Sequence, residues 1–334
     1  MVDWNVTYAR ANEALDLLLR RANGKVSWGN VRVAHLDTGY TNHPAFGPWN
    51  GEQNAIVLTG LGRDFLAPQR GTAKDPLKDP KFMEPGHGTR SGSALSTDGG
   101  GFTGVAPGLP LVPFRVTNTS LVTGKVARAI AKALDHVVDN RVASVVNISL
   151  GFPLLDNSRM GKAVDKAYEA GVIVVAAAGQ EIDRMSYPAK HRRTIGVGGI
   201  TKTRRRHIPY QKYDRYARID IWAPAKPVRR AHVKTEKGRK QMGGGTTYAA
   251  VHVTAAACMW LRVHGGVITQ RYGATWKRVE AFRRLLATVK QELEFPLPDS
   301  NEAGALDIDA LLRADLPDPN SLVKEMDLAK DDRF

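Results

Sequence analysis

The sequence predicts an α/β protein with a doubly wound, mostly parallel sheet and helices on both faces, and three observations carry that prediction. Runs rich in Val and Ile, VRVAHL (31–36), LVPFRV (111–116), SVVNISL (144–150), VIVVAAAG (172–179) and TIGVGGI (194–200), are apolar on both alternating faces, as fully covered strands must be. Helical patterns over 125–140 and 159–170 alternate with them, and that alternation implies crossovers and parallel pairing. In such sheets functional groups gather where strands end at their carboxyl edge. Asp37, the 147–151 turn and the 179–180 turn then share one rim.

Taken in chain order, 9–21 has the pattern of an amphipathic helix, with Ala14, Leu15, Leu18 and Leu19 on one side and Gly24 beyond its end. Residues 1–27 form a lead-in segment. The stretch 41–85, rich in Pro, Gly, Lys and Asp, is expected to be mostly surface loop. Small residues over 89–96 favour a tightly packed helix. Helices over about 248–263 and 275–292 close the main domain, 28–313, and a polar tail, 314–334, is expected to be loosely held.

The chain has 334 residues, of which 43% are hydrophobic, so it can bury a large core as one α/β unit. No run approaches the roughly 18 apolar residues of a membrane helix, and the N-terminus lacks a basic start followed by a long apolar stretch. Neither a membrane partner nor an export signal is expected, with secretion after processing as the alternative. The single cysteine, Cys258, excludes an internal disulfide and fits a reducing, cytoplasmic compartment; in AAACMW it is expected to be a core side chain.

The net charge of +15 is concentrated over 190–240, which carries Lys190, Arg192, Arg193, Lys202, Arg204, Arg205, Arg206 and Lys212 among others. A solvated basic face, an acidic protein partner and nucleic acid would each be consistent with such a field. No nucleic-acid-reading motif with interleaved aromatics supports the last.

Three short motifs carry the chemistry: Asp-Thr-Gly at 37–39, His-Gly-Thr at 87–89 and Gly-Thr-Thr-Tyr-Ala at 245–249. Acyl transfer by a hydroxyl needs a base to take its proton, an acid to hold that base in one tautomer, and a small-residue turn that exposes the nucleophile. A histidine between Gly86 and Gly88 has no helix face to pack, which favours a functional role for His87. Thr247 taken alone fits an ordinary helix N-terminus. His252, in an apolar helix, is expected to be a structural imidazole.

With GVAP (104–107), VNISLG (146–151), AAAG (176–179), YPAK (187–190), Ala223-Pro224 and GALDIDAL (304–311) in the same order, the chain resembles the subtilisin family, or subtilases, over roughly 28–312. The resemblance implies a peptidase acting on peptides or proteins without a cofactor or a metal. It implies that Asp37 orients the imidazole, that His87 serves as base and then acid, and that Thr247 attacks the carbonyl. Gln180 takes the oxyanion-hole place, while Ser149, Leu150 and Gly151 pair with substrate backbone and Ala178 and Gly179 wall a pocket. Glu181 and Asp183 near that pocket suggest a basic residue there.

Two positions depart from the family: Thr247 replaces its serine and Gln180 its asparagine. Each keeps the functional group and adds one carbon, so the expectation is a remodelled site. The alternative is a pseudoprotease that binds a peptide or an acidic partner. Threonine's methyl restricts χ1, and the geometric form of the expectation is Thr247 Oγ1 within about 2.6 to 3.2 Å of a His87 ring nitrogen, or looser without substrate. Val251 stands where proline is common after the nucleophile, and 96–104 lacks the longer loop that wraps calcium in some relatives, so no structural calcium is expected beside Asp98.

Overall fold

The computed structural model describes residues 3–21, 26–77, 84–99, 101–119, 123–151, 158–180, 185–207, 218–233, 240–295 and 303–325. The chain opens with helices α1 (Trp4–Tyr8) and α2 (Ala11–Arg21), then strands β1 (Val33–Asp37) and β2 (Arg63–Asp64) and helix α3 (His87–Ser96). A small hairpin, β3 (Asp98–Gly99) and β4 (Phe102–Thr103), leads to β5 (Leu111–Arg115), α4 (Gly124–Asp139), β6 (Val145–Ile148), α5 (Ser158–Glu169), β7 (Ile173–Ala177) and β8 (Ile195–Thr201). β9 (Ile221–Lys226) precedes a second hairpin, β10 (Val228–Ala231) with β11 (Lys240–Gly243), and helices α6 (Thr246–Tyr272), α7 (Trp276–Thr288) and α8 (Ile308–Arg313) finish the body.

Seven strands form one parallel sheet in the order β2-β5-β1-β6-β7-β8-β9. Every residue of β1, β5, β6 and β7 is buried, as their largely apolar runs require, and His35, Asp37, Arg115 and Asn147 are buried with them. Alternation divides them between two cores. Val33, Val145, Ile173 and Val175 meet α6, α7 and α8 on one face, while Ala34, Leu36, Val146, Ile148 and Val174 meet α4 and α5 on the other. From β1 the chain moves outward to β5, then returns across α4 to β6 on the opposite side. The order therefore reverses around β1, and that reversal opens a crevice at the carboxyl ends of β1 and β6.

Helix α6 runs to Tyr272, well past residue 263. Gly265 and Gly266 weaken its local propensity, but Ile268 and Tyr272 are buried, and that packing carries the helix through. By length and composition it could cross a bilayer, yet 67% of its most apolar window is buried inside the fold. A helix lying under a sheet needs apolar residues all round.

Strand β9 escaped the sequence pattern because Pro224 lies inside it. Proline is tolerated here near the sheet margin, beside a register shift at Ile200/Thr201. The 41–85 stretch is less of a surface loop than expected. Phe46, Val57 and Ala73 are buried, and Arg63–Asp64 pairs with β5, because single apolar anchors, Phe46 at the end of a 3-10 turn and the others in irregular chain, carry no periodicity to betray them.

The lead-in helices are tied to the end of the domain. Arg10 bonds Asp307 at 3.2 Å and Asp309 at 2.9 Å, and Ile308 N–H donates to Ala9 O. The tail is not loosely held as far as Glu325, whose carboxylate accepts from Arg218 at 2.9 Å and lies 3.2 Å from Arg192. Its backbone O accepts from Arg193 at 3.0 Å and its N–H donates to the Tyr168 hydroxyl at 2.9 Å. A polar segment can be fixed by converging charge pairs and backbone hydrogen bonds without any apolar signal. Much of the basic segment is thereby used internally: Arg193 also bonds Asp165 at 2.9 Å, and Arg204 stacks over the Tyr8 ring at 3.8 Å. Lys212 lies outside the described residues.

Gly198 faces Trp222 in the β8/β9 register, and a Cβ there would come 2.5 Å from the indole. Because Trp222 is fully buried, Gly198→Ala should cost about 1 to 3 kcal/mol. A lowered urea midpoint with an unchanged slope would show it; an unchanged midpoint would contradict the packing described.

Candidate active site

Asp37 is the last residue of β1 and fully buried. Its Oδ1 accepts from Thr38 N–H at 2.7 Å and faces His87 Nδ1 at 2.8 Å, while Oδ2 lies 3.0 Å from Nδ1 and accepts from the Ser91 hydroxyl at 3.1 Å. His87 opens α3, and Gly86 before it has φ 75°, a left-handed turn that glycine adopts freely. Gly88 lets α3 rest on the end of β1: a Cβ would meet Gly39 O at 2.2 Å and Asp37 Cβ at 3.1 Å. The approach is fixed by Asp75, whose Oδ2 accepts from Thr38 Oγ1 at 2.6 Å and Gly86 N–H at 2.8 Å.

Thr247 lies in the first turn of α6. Its Oγ1 stands 3.5 Å from His87 Nε2, looser than a tight hydrogen bond, and donates to Ser149 O at 3.3 Å. One hydroxyl proton is thus shared between imidazole and carbonyl. Ser149 Oγ donates in return to Thr247 O at 3.2 Å, which seals the turn after β6 to the start of α6.

Gly245, the residue ahead of α6, has no side chain to cap the helix. Gln180 supplies the cap instead: its Oε1 accepts from Thr246 N–H at 2.9 Å. Only the amide oxygen can accept, so this bond fixes the carboxamide's orientation and leaves its NH₂ for another partner. Thr246 Oγ1 accepts from Gly179 N–H at 3.2 Å, joining the 179–180 turn to the same helix end.

The residues named from sequence thus divide. Asp37, His87 and Thr247 form one line, and Gln180, Ser149 and Gly179 contact the first turn of α6. Gly151 and Gly179 both close on Ser186, where a Cβ would come within 2.5 and 2.1 Å. The side chains of Leu150 and Ala178 belong to the α4/α5 core, and the Ala178 backbone is bonded to Val197 O at 3.0 Å and Ser186 N–H at 2.8 Å. Glu181 and Asp183 lie outside the described residues. Among the described residues no group of three or more His, Cys, Asp or Glu gathers as metal ligands would.

His252 is fully buried, between Tyr248 O at 2.7 Å and Asn5 Nδ2 at 3.0 Å, and burial pulls its pKa down to about 4. Cys258 is a buried core thiol whose pKa burial raises. Both are structural, as expected.

Sequence reasoning passed over Glu84, Ser91 and His35. Glu84 Oε2 lies 3.7 Å from His87 Nε2. Periodicity held the signal for the other two: Ser91 is one helical turn after His87, and His35 shares Asp37's face of β1.

Burial disfavours charge on both Asp37 and His87, but the pair overrides it. The Asp37 pKa ends below its ordinary value of 3.8 through the His87 charge and hydrogen bond, with His35 and Thr38 N–H assisting. The His87 pKa ends above 6.5 through the Asp37 charge and hydrogen bond, helped by Glu84 and opposed by Arg90. A lowered carboxylate pKa stabilises the fold above 3.8 and loses that effect as pH falls through the folded value; a raised histidine pKa stabilises below 6.5 and loses it as pH rises through the folded value. The pair therefore contributes most between those limits. In denaturant titrations across pH, the stability gap between the native chain and Asp37→Asn should be widest there and shrink above the His87 pKa; a flat gap would refute the coupling.

The family model described as Peptidase S8, Subtilase family, matches residues 29–299. The chain is 30% identical over 239 residues, 69% of its length and 68% of the other's, to the major intracellular serine protease of Bacillus subtilis (strain 168). It is 27% identical over 290 residues, 86% of its length and 91% of the other's, to subtilisin Savinase of Lederbergia lenta. Among solved structures, MycP1 with its N-terminal propeptide removed matches with TM-score 0.66 and 20% identity, over 95% of this chain and 100% of that one. A protease of Pseudoalteromonas arctica matches with TM-score 0.69 and 20% identity, over 90% of this chain and 92% of that one. At that identity, these two likenesses speak to the fold alone.

Proposed function

The chain belongs to the subtilase family, and from that premise we propose that it is an endopeptidase that cleaves peptide bonds through an acyl-enzyme on Thr247. One observation carries this reading: His87 bonds Asp37 through Nδ1 at 2.8 Å while its Nε2 stands 3.5 Å from Thr247 Oγ1. Hydroxyl, imidazole and carboxylate lie in the order that general-base activation of a nucleophile needs.

In this mechanism His87 Nε2 takes the Thr247 proton as Oγ1 bonds the substrate carbonyl carbon. Asp37 holds the Nδ1–H tautomer and balances the imidazolium. Gln180, its oxygen tied to Thr246 N–H, offers its NH₂ to the oxyanion, together with the N–H groups that the first turn of α6 cannot satisfy internally. The C–N bond then breaks, the amine leaves with the proton from His87, and an ester on Thr247 remains. Water, deprotonated by His87, hydrolyses that ester. Ser149 and Gly151 offer backbone to an added substrate strand, and Gly179 with Ser186 bounds a side-chain pocket.

The shared Thr247 proton favours a second reading. If donation to Ser149 O at 3.3 Å persists with substrate bound, the hydroxyl stays unactivated and the crevice only holds peptide or an acidic partner.

A fluorophosphonate probe separates the two readings. The endopeptidase should be labelled at Thr247, the label should vanish in His87→Ala, and unfolded casein should be cleaved. No adduct and no cleavage would overturn the endopeptidase and favour the binding reading. Thr247→Ser relieves the χ1 restriction, an effect on the order of 1 kcal/mol, so turnover should rise about fivefold; a fall would mean that the site is built around the methyl. Because His87 must be neutral to accept the proton, activity should increase with pH through a pKa above 6.5. An acid limb centred below that value would contradict the Asp37 coupling.

A further inference from the structure

His35 is fully buried on β1, two residues before Asp37, facing α3 and α6 rather than α4 and α5. Its register partner on the neighbouring strand is Asn147. A histidine here has no obvious packing purpose, since the flanking residues Ala34 and Leu36 supply the apolar face of the strand. Its two ring nitrogens lie at the middle of a hydrogen-bonded chain that runs from the acid of the triad to the helix bearing the hydroxyl. Nε2 lies 2.9 Å from Ser91 Oγ, and Ser91 Oγ lies 3.1 Å from Asp37 Oδ2. On the other side Nδ1 lies 3.1 Å from Asn147 Nδ2, which reaches Ser149 Oγ at 3.0 Å, and Ser149 Oγ lies 3.2 Å from Thr247 O.

The two ends of this chain decide the direction of every bond within it. Asp37 is an ionised acceptor, His87 O and Gly88 O at 2.9 and 3.3 Å from Ser91 Oγ can only accept, and Thr247 O is a carbonyl acceptor, so whichever acceptor it meets, each serine spends its single hydroxyl proton away from His35 and Asn147. Each serine oxygen then has to receive a proton from the inside. For Ser149 the donor is the Asn147 NH₂, whose orientation is also fixed by Thr254 Oγ1 donating to Asn147 Oδ1 at 2.9 Å. The second amide proton points at His35 Nδ1, which must be the unprotonated nitrogen. His35 is consequently the neutral tautomer with its proton on Nε2, and that proton goes to Ser91. Turning the Asn147 amide over would reverse both arms and take one hydrogen bond from each end, one of them from a buried carboxylate. Burial also opposes charging of His35, against the pull of Asp37.

We infer that His35 is a positioning residue of the active site: as a neutral Nε2–H imidazole it drives the Ser91 hydroxyl onto Asp37 and, through Asn147 and Ser149, holds Asp37 in register with Thr247. Ser91 Oγ also lies 2.9 Å from His87 O, the ordinary target of a serine inside a helix. The proton from His35 makes the hydroxyl a better donor, and the charged carboxylate is the stronger acceptor. This role rests on the endopeptidase reading only for its effect on turnover. The tautomer and the link to His87 are properties of the folded chain.

The test is nitrogen-15 NMR of the histidine rings in the full chain, with His35→Leu, Ser91→Ala and His35→Gln as variants. The ionisable groups facing His87 are Asp37 and His35 from β1, with Glu84 and Arg90 from its own segment, and only the β1 side changes in the first and third variants. In the native chain His35 should show a protonated Nε2 and a bare Nδ1 throughout neutral pH. In His35→Leu and in Ser91→Ala, Asp37 loses a donor and holds the His87 proton more strongly. The His87 pKa should rise by about one unit, the size expected for one hydrogen bond to a carboxylate. In His35→Gln, whose amide can accept from Asn147 and donate to Ser91, most of that rise should disappear. Where turnover is measurable, kcat should fall about tenfold in the first two variants with KM unchanged. A proton on Nδ1, a charged His35 at neutral pH, or a His87 pKa unmoved in both Leu and Ala variants would overturn the inference. Because Ser91→Ala removes one surface-remote oxygen, it keeps the test valid if His35→Leu fails to fold. A chain that shows the NMR behaviour but cleaves nothing overturns the endopeptidase reading and leaves the placement of His35 intact.

Discussion

A carboxylate buried at the end of a central strand is the constraint around which the crevice is organised. Asp37 has no access to water, and an ionised group so placed persists only if hydrogen bonds and opposite charge replace its hydration. Thr38 N–H, His87 Nδ1 and Ser91 Oγ do so. Each donor has its own demand on the fold. Thr38 anchors Asp75 and so the turn ahead of His87; His87 requires glycine on both sides to lay α3 on β1; Ser91 draws in His35. Removing the charge would relax the reasons for all of these at once.

The far side of the crevice answers a different need. A helix as long and apolar as α6 begins at a glycine that cannot cap it, and Gln180 does the capping from another turn. The same bond fixes the carboxamide's orientation, so its oxygen is committed to the helix and its NH₂ is left for another partner. This gives the extra methylene of Gln180 a physical reason: the carboxamide reaches far enough to bond the helix while still presenting donors. Thr247 shows the corresponding tension, with its hydroxyl between His87 and the Ser149 carbonyl.

The concentrated positive charge is likewise partly a matter of internal structure. Arg192, Arg193 and Arg218 converge on Glu325 and secure the chain beyond α8. Arg283, buried beneath them, lies 3.1 Å from Asp220 and pairs with Glu280. A formal excess of charge over a stretch of sequence therefore says less about partners than it would on a face where every side chain met solvent.

The sequence by itself determined the parallel sheet, because strands covered on both faces must be largely apolar; it marked Asp37 and His87 as candidates through their glycine-bordered motifs, and Thr247 only through the order of motifs that resembles the subtilisin family. It could also have yielded His35 and Ser91, which sit at strand and helix spacing from the acid and the base. Tertiary structure alone decided the rest. Pro224 in β9, the single apolar anchors of 41–85, the continuation of α6 through Gly265 and Gly266, and the fixing of the tail by Glu325 all depend on partners distant in the chain. So does the Gln180 cap, and so does the distance between Thr247 and His87. Periodicity records which face a residue turns inward, whereas hydrogen bonds between remote elements depend on ångström separations that no local pattern encodes.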